Sequence, residues 1–142
     1  MQKLREMTGG GVMECKKALD ESGGDLNKAA DILRARGVEK SAKRAGRDTG
    51  AGLIYAYVHS EKIGVLVDVR AETDFVVRSE PFRELAKEIG LQIAAVGGAT
   101  VEEVLEQDYI KDPSRKMKDL ITDVIARTGE NVRLNAFSRL EL

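Results

Sequence analysis

The chain has 142 residues, which is enough for one ordinary domain or for a small module joined to a modest core. Charged residues make up 33% and apolar residues 42%, and the 23 basic and 24 acidic side chains give a net charge of −1. This balance argues against a dedicated nucleic-acid binder, in which one sign of charge dominates. A single cysteine, Cys15, and a single histidine, His59, exclude an internal disulfide and a structural zinc site.

The first 37 residues predict a module of three short helices. The second helix runs from Val12 to Ser22, after the glycines at 9–11, and Asp25 is the expected N-cap of the third helix. Gly37 stands where a glycine is expected to end that helix. Three helices of this length favour a compact bundle resembling the ubiquitin-associated fold, with a small core.

Residues 38–52 are interpreted as a basic linker, either helical or partly flexible. Between Arg34 and Arg47 six basic side chains face only one acid, Glu39, and glycines close the stretch. A charge run of this kind is typical of a solvated connector.

Residues 53–142 predict an α+β core with a three-stranded antiparallel sheet packed with helices. Residues 53–59 and 63–69 are rich in strand formers and form a hairpin around residues 60–62. The valines of the second strand alternate, so one face of the sheet is expected to be covered. Residues 132–142 alternate throughout and predict a third strand that returns to the hairpin.

Three helices are expected between the hairpin and the last strand. The first runs from Pro81 to Val96 with apolar residues at helical spacing. The second spans 101–106, with Thr100 as its cap and Glu103 completing a capping box. The third is predicted to open at Pro113-Ser114 and to end at Gly129.

The chain shows no arrangement typical of an enzyme. The glycines at 9–11 lack the Lys-Ser/Thr that would complete a phosphate-binding loop. His59 lies on a predicted strand with no partner nearby in sequence, and Cys15 occupies a core-facing helical position. We therefore expect neither catalytic residues nor a bound metal or cofactor.

Two places favour contact with a partner. Asp74 and Phe75 follow the second strand, and two interpretations are open: the ring caps the protein's own core, or it is left uncovered for a partner. After the glycine turn, Met13 is expected to face outward, and Val12 is expected near the edge of the buried face. Because a methionine side chain is flexible and polarizable, an exposed Met13 would suit an adaptable contact surface. A partly buried methionine on a small bundle is the alternative.

At these places the sequence resembles the family of bacterial elongation factor Ts, in its short form. The segment Leu4–Leu19 matches the first signature of that family, and Glu72–Val76 matches the second. Gly129-Glu130-Asn131 and the closing strand make a third match. Because the three matches occur in order along nearly the whole chain, the resemblance implies a guanine-nucleotide exchange factor for elongation factor Tu, acting in translation elongation in the cytoplasm.

The resemblance also implies roles for particular residues. Thr73, Asp74, Phe75 and Val76 would intrude into the GTPase domain of elongation factor Tu, where Asp74 and Phe75 would wedge between two helices and displace magnesium. The N-terminal module would grip another helix of that domain through three residues: Arg5, Val12 and Met13. The chain departs from the usual family residues at Arg70, Ala71, Val77, Ser79, Asn135 and Ala136.

The chain has no room for the second core subdomain or the helical insertion of longer members, and the shortened region lies near 102–112. Short members act as homodimers, so we expect a homodimer here, formed through the sheet edge or the last strand.

Two other functions compete with this interpretation. The three-helix module could bind ubiquitin-like folds by itself, in which case residues 1–37 would suffice. The stretch from Arg34 to Arg47 could bind nucleic acid, with an affinity that falls steeply with salt. That stretch contains no aromatic residues for stacking on bases, so we expect no direct nucleic-acid partner. No membrane partner is expected, since no apolar run is long enough to span a bilayer.

Overall fold

A computed structural model describes residues 2–142 and contains seven helices and five strands in that range. In chain order they are α1 (Gln2–Thr8), α2 (Val12–Glu21), α3 (Leu26–Arg44), β1 (Ala51–His59), β2 (Ile63–Ala71), α4 (Asp74–Val77), α5 (Glu80–Val96), α6 (Val101–Glu106), β3 (Asp108–Tyr109), β4 (Asp112–Lys116), α7 (Met117–Thr128) and β5 (Val132–Glu141).

The N-terminal three-helix bundle is confirmed. Asp25 caps α3, because its Oδ1 accepts hydrogen bonds from the backbone N–H groups of Asn27 at 2.9 Å and Lys28 at 3.2 Å. The fully buried side chains of the bundle are small apart from one leucine: Leu4, Cys15, Ala18, Ala29 and Ala30. Such a core buries little apolar surface, so the bundle depends on contacts with the rest of the chain.

The expected helix end at Gly37 is wrong. Helix α3 continues through Gly37 to Arg44, which confirms the helical alternative for the first part of the basic stretch. Gly37 is buried where α3 packs against α7, and a Cβ atom placed on it would lie 3.4 Å from the Cβ of Ala126. The glycine therefore lets two helices approach closely. Arg44 strengthens the same contact by donating to the carbonyl of Ile125 at 3.2 Å.

The antiparallel sheet is also confirmed, with the strand order β1-β2-β5. Val65, Val67 and Val69 are buried on the face that α5 covers. Helix α5 begins with Pro81 in its first turn, as expected, and ends at Gly97. Its inward stripe is also as expected, and every member is buried: Phe82, Leu85, Ala86, Ile89 and Ile93.

The alternation predicted for the last strand is right only at its start. Val132 and Leu134 are buried, but the register shifts opposite Asp68 and Val69 and leaves Asn135 as an extra residue. Because side chains alternate with a period of two, the extra residue exchanges the two faces of the strand beyond it. As a result Leu140, which belongs to the same alternation in the sequence as the buried Val132 and Leu134, is 79% exposed.

The expected start of the last helix at Pro113 is wrong as well. Residues 112–116 form β4, which pairs with β3, and α7 begins only at Met117. The carboxylate of Asp119 accepts the N–H of Lys116 at 2.8 Å, and Met117 donates to the carbonyl of Gln107 at 3.0 Å, so these contacts set the helix start. The end at Gly129 is confirmed, with φ at 78°.

Candidate partner-binding surface

The segment after β2 forms a single helical turn that exposes an aromatic ring. Thr73 caps α4, and its hydroxyl accepts the N–H of Val76 at 3.4 Å. Val76 and Val77 are 4% and 7% exposed and anchor the turn on the core, whereas Phe75 is 79% exposed. Successive helical residues point about 100° apart, so burying the two valines directs Phe75 to solvent. Phe75 is thus not a cap on the core.

A carboxylate stands beside this ring. Asp74 is exposed in the first turn of α4, and the residue that caps this turn is its neighbour Thr73. Val76, which was expected among the contact residues, is instead part of the core. Of the four residues expected to contact a partner here, Thr73, Asp74 and Phe75 are exposed, and Val76 packs on the core beneath them.

Glu130 is a residue of this site that sequence reasoning did not single out. Its carboxylate accepts the N–H of Thr73 at 2.9 Å and the Thr73 hydroxyl at 2.7 Å. The two residues are 57 positions apart, so no local pattern could have indicated the contact. The sequence offered one signal, namely the match of Gly129-Glu130-Asn131 to a family signature.

The second expected contact surface lies at the glycine turn between α1 and α2. Met13 is 74% exposed and Val12 is 43% exposed, as the helical spacing predicts when Cys15 points inward. Arg5 is exposed on α1, and its Nε lies 3.4 Å from the carbonyl oxygen of Gly10. The three residues expected to contact a partner thus surround one turn.

Cys15 and His59 are the side chains that the sequence offered for catalysis. Cys15 is fully buried, and the exposed His59 ring lies 2.9 Å from the Tyr57 hydroxyl. Within residues 2–142, no group of three His, Cys, Asp or Glu side chains could hold a metal ion. No helix of the described chain is long and apolar enough to cross a membrane.

The basic stretch is largely occupied by contacts within the chain. Arg36 pairs with Glu21 at 2.7 Å, and Lys40 pairs with Glu14. Arg47 lies 3.6 Å from the carboxylate of Glu72. These charges hold the helical bundle together and attach it to the core, which leaves fewer of them free to bind phosphates.

A further surface is the outer face of the sheet. Its exposed apolar side chains are Ile54, Val58, Leu66 and Leu140. Val58, Leu66 and Leu140 lie towards the hairpin end, whereas Ile54 stands opposite Asp68. At the other end Arg70 makes a two-bond contact with Asp68, at 2.6 and 3.0 Å, and Asn135 donates to the same carboxylate. The hydrogen bond from Arg70 holds the pKa of Asp68 below its ordinary value.

The described residues form an α+β core with a helical bundle, and they expose the two places at which the sequence favours contact with a partner. Comparison with known proteins agrees: the family model described as "Elongation factor TS" matches residues 72–142. Curated relatives called elongation factor Ts include those of Thermotoga neapolitana, 41% identical, Nitratidesulfovibrio vulgaris, 40%, and Thermodesulfovibrio yellowstonii, 38%. Each alignment covers 100% of this chain and 94% of the relative. The chain belongs to the elongation factor Ts family and is a factor of translation elongation.

The relatives are longer within the aligned span. The alignments with the Thermotoga neapolitana and Thermodesulfovibrio yellowstonii proteins run over 186 positions, against 142 residues here, which leaves 44 positions without a counterpart in this chain. Because the whole chain is aligned, these positions fall inside it.

Proposed function

We propose that this chain is the guanine-nucleotide exchange factor for elongation factor Tu and acts in the cytoplasm. The observation that carries the proposal is the Phe75 ring, 79% exposed on a turn anchored by a valine that is 4% exposed. Single exposed aromatics are normal on protein surfaces, but this one is presented by a capped turn beside a carboxylate, in the segment that matches the family model.

In the proposed mechanism Asp74 and Phe75 enter the GTPase domain between two helices and displace its magnesium ion. Burying the ring in the partner contributes about 1.5–3 kcal/mol. If the partner conformation that accepts the ring cannot hold magnesium, this free energy weakens nucleotide binding by about tenfold for each 1.4 kcal/mol. The coupling is reciprocal, so an incoming nucleotide expels the factor. No covalent bond forms, and the factor is not an enzyme in the chemical sense.

The N-terminal module supplies the second contact. Met13 is unbranched and polarizable, so it adapts to an apolar surface on the partner, and Val12 extends that surface. Arg5 adds a positive charge at its edge. Two separate contacts fix the orientation of the factor, which is what lets the Phe75 ring reach one particular place.

The test is release of a fluorescent GDP analogue from elongation factor Tu with this chain at substoichiometric amounts. Phe75→Ala should lower the stimulated rate about ten- to a hundredfold, because it removes the free energy of ring burial. Val38→Ala is the matched control, since it removes another exposed apolar side chain, 57% exposed, on α3. An unchanged rate for Phe75→Ala would remove the ring from the mechanism.

We also propose that the chain acts as a homodimer. The outer sheet face supports this, because the solvated face of an antiparallel sheet is ordinarily polar, whereas Leu66 is 50% exposed and Leu140 is 79% exposed here. A two-fold axis would place the same patch of both copies in contact. The outer sheet face is thus a third candidate for the dimer interface, besides the sheet edge and the last strand that the sequence analysis expected. No direct contact with nucleic acid or membrane is part of the proposal.

A further inference from the structure

The corner between α7 and β5 is tied to the turn that carries Phe75. Both oxygens of the Glu130 carboxylate accept hydrogen bonds from Thr73: one from the backbone N–H at 2.9 Å and one from the hydroxyl at 2.7 Å. The same hydroxyl accepts the N–H of Val76 at 3.4 Å. Glu130 therefore holds the one residue that starts helix α4.

We propose that Glu130 is a positioning residue for nucleotide exchange, which fixes helix α4 so that Phe75 is presented in one direction before the partner arrives. This inference rests on the proposed exchange function. Glu130 acts through Thr73 and need not itself touch the partner.

The corner between α7 and β5 is rigid enough for this role because Asn131, the residue that follows Glu130, is anchored on two sides. Asn131 is 6% exposed, and its side-chain amide donates to the carbonyls of Ala45 at 3.3 Å and Arg47 at 3.0 Å. Its backbone N–H donates to the carboxylate of Glu72 at 2.5 Å. Glu130 thus extends from a fixed point between the linker and the end of β2.

Helix α4 needs such support because it is a single turn of four residues. A helix of one turn has no stability of its own, and its first N–H groups lack partners inside the helix. Val76 and Val77 hold one side by packing, but the exposed Phe75 ring gains nothing from its own core. The direction of the ring is then set by the backbone, and an ordered backbone reduces the entropy lost on binding.

A fluorescence experiment tests the positioning without elongation factor Tu. The chain has no tryptophan, so Phe75→Trp gives a single reporter at the site. In this background Glu130→Ala and Thr73→Val should each increase the amplitude of fast local motion seen in the anisotropy decay, whereas Thr73→Ser, which keeps the hydroxyl, should not. Glu39→Ala is the control, because Glu39 is exposed on α3 and its side chain makes no hydrogen bond or ion pair with residues 2–142. If the Phe75→Trp protein shows the same anisotropy decay with and without Glu130→Ala, the proposal is overturned.

The exchange assay supplies the second readout. Glu130→Ala should slow stimulated GDP release about tenfold, which corresponds to about 1.4 kcal/mol, whereas the control Glu39→Ala should leave the rate unchanged. In the Phe75→Ala background the same change should lose most of its effect, because Asp74 is then the only wedge residue left on the turn to position. An equal loss in both backgrounds would show a general structural role and overturn the inference. If the parent chain does not stimulate release at all, the proposed function fails, and the anisotropy decay alone decides the role of Glu130.

Discussion

At the scale of single residues, two phenylalanines of this chain occupy opposite environments. Phe75 is 79% exposed and Phe82, seven positions later, is fully buried under the sheet. Their contributions to the folded state should differ accordingly. Phe75→Ala should change the free energy of unfolding by less than about 0.5 kcal/mol, as for an ordinary surface change. Phe82→Ala should lower it by about 3–5 kcal/mol, because it leaves a cavity.

Urea unfolding followed by circular dichroism measures both changes. A loss of 2 kcal/mol or more for Phe75→Ala, with its magnitude approaching that of Phe82→Ala, would mean that the ring packs on its own core in solution. The Phe75 ring would then have to leave the core before it could contact a partner.

The sequence could locate this site but could not orient it. The position of Phe75 between a strand end and a helix start left both a buried and an exposed ring open. The choice depends on which residues of a single turn face the core, and Val76 and Val77 occupy the inward positions. The Glu130–Thr73 contact depends on the whole fold, because its two residues meet only when α7 returns to the sheet.

At the scale of elements, periodic patterns in the sequence predicted the buried faces of helices and strands. They failed where a tertiary contact determines where a helix ends or how a strand pairs. The stripe of α5 and the valines of β2 gave the correct buried faces. Gly37 looked like a helix end because a glycine often stands there, but its function is to let α3 approach α7. The bulge at Asn135 depends on pairing with β2, and alternation within β5 alone cannot reveal it.

Gly37 provides a test of the contact between α3 and α7. Gly37→Ala should stabilise the protein by up to about 1 kcal/mol, because alanine favours the helix interior and its Cβ would meet Ala126 at an ordinary contact distance of 3.4 Å. Gly37→Leu should destabilise it, because the larger side chain forces the helices apart. Thermal unfolding of the three proteins measures this order. If the Gly37→Leu protein were more stable than the parent, α3 and α7 would not be in contact at this position in solution.

At the scale of the whole molecule, the outer sheet face should decide the oligomeric state. Leu66 lies on the central strand, between Ala56 on β1 and Ser138 on β5, so a charge at this position would be buried in a face-to-face dimer. Leu66→Glu should therefore convert the dimer to a monomer, as measured by gel filtration with light scattering.

Val96→Glu is the matched control, since Val96 is 52% exposed at the end of α5, away from the sheet face. A dimer that survives Leu66→Glu would move the interface to a sheet edge. A parent chain that is monomeric and still stimulates exchange would contradict the homodimer altogether.

The unbroken helix α3 also limits how the chain can change in length. Each residue inserted into it would turn the N-terminal bundle by about 100° around the helix axis and shift it by about 1.5 Å. Met13 would then face another direction, even if every local contact within the bundle survived. Insertions and deletions within α3 should therefore be poorly tolerated, because they would turn one contact surface relative to the other.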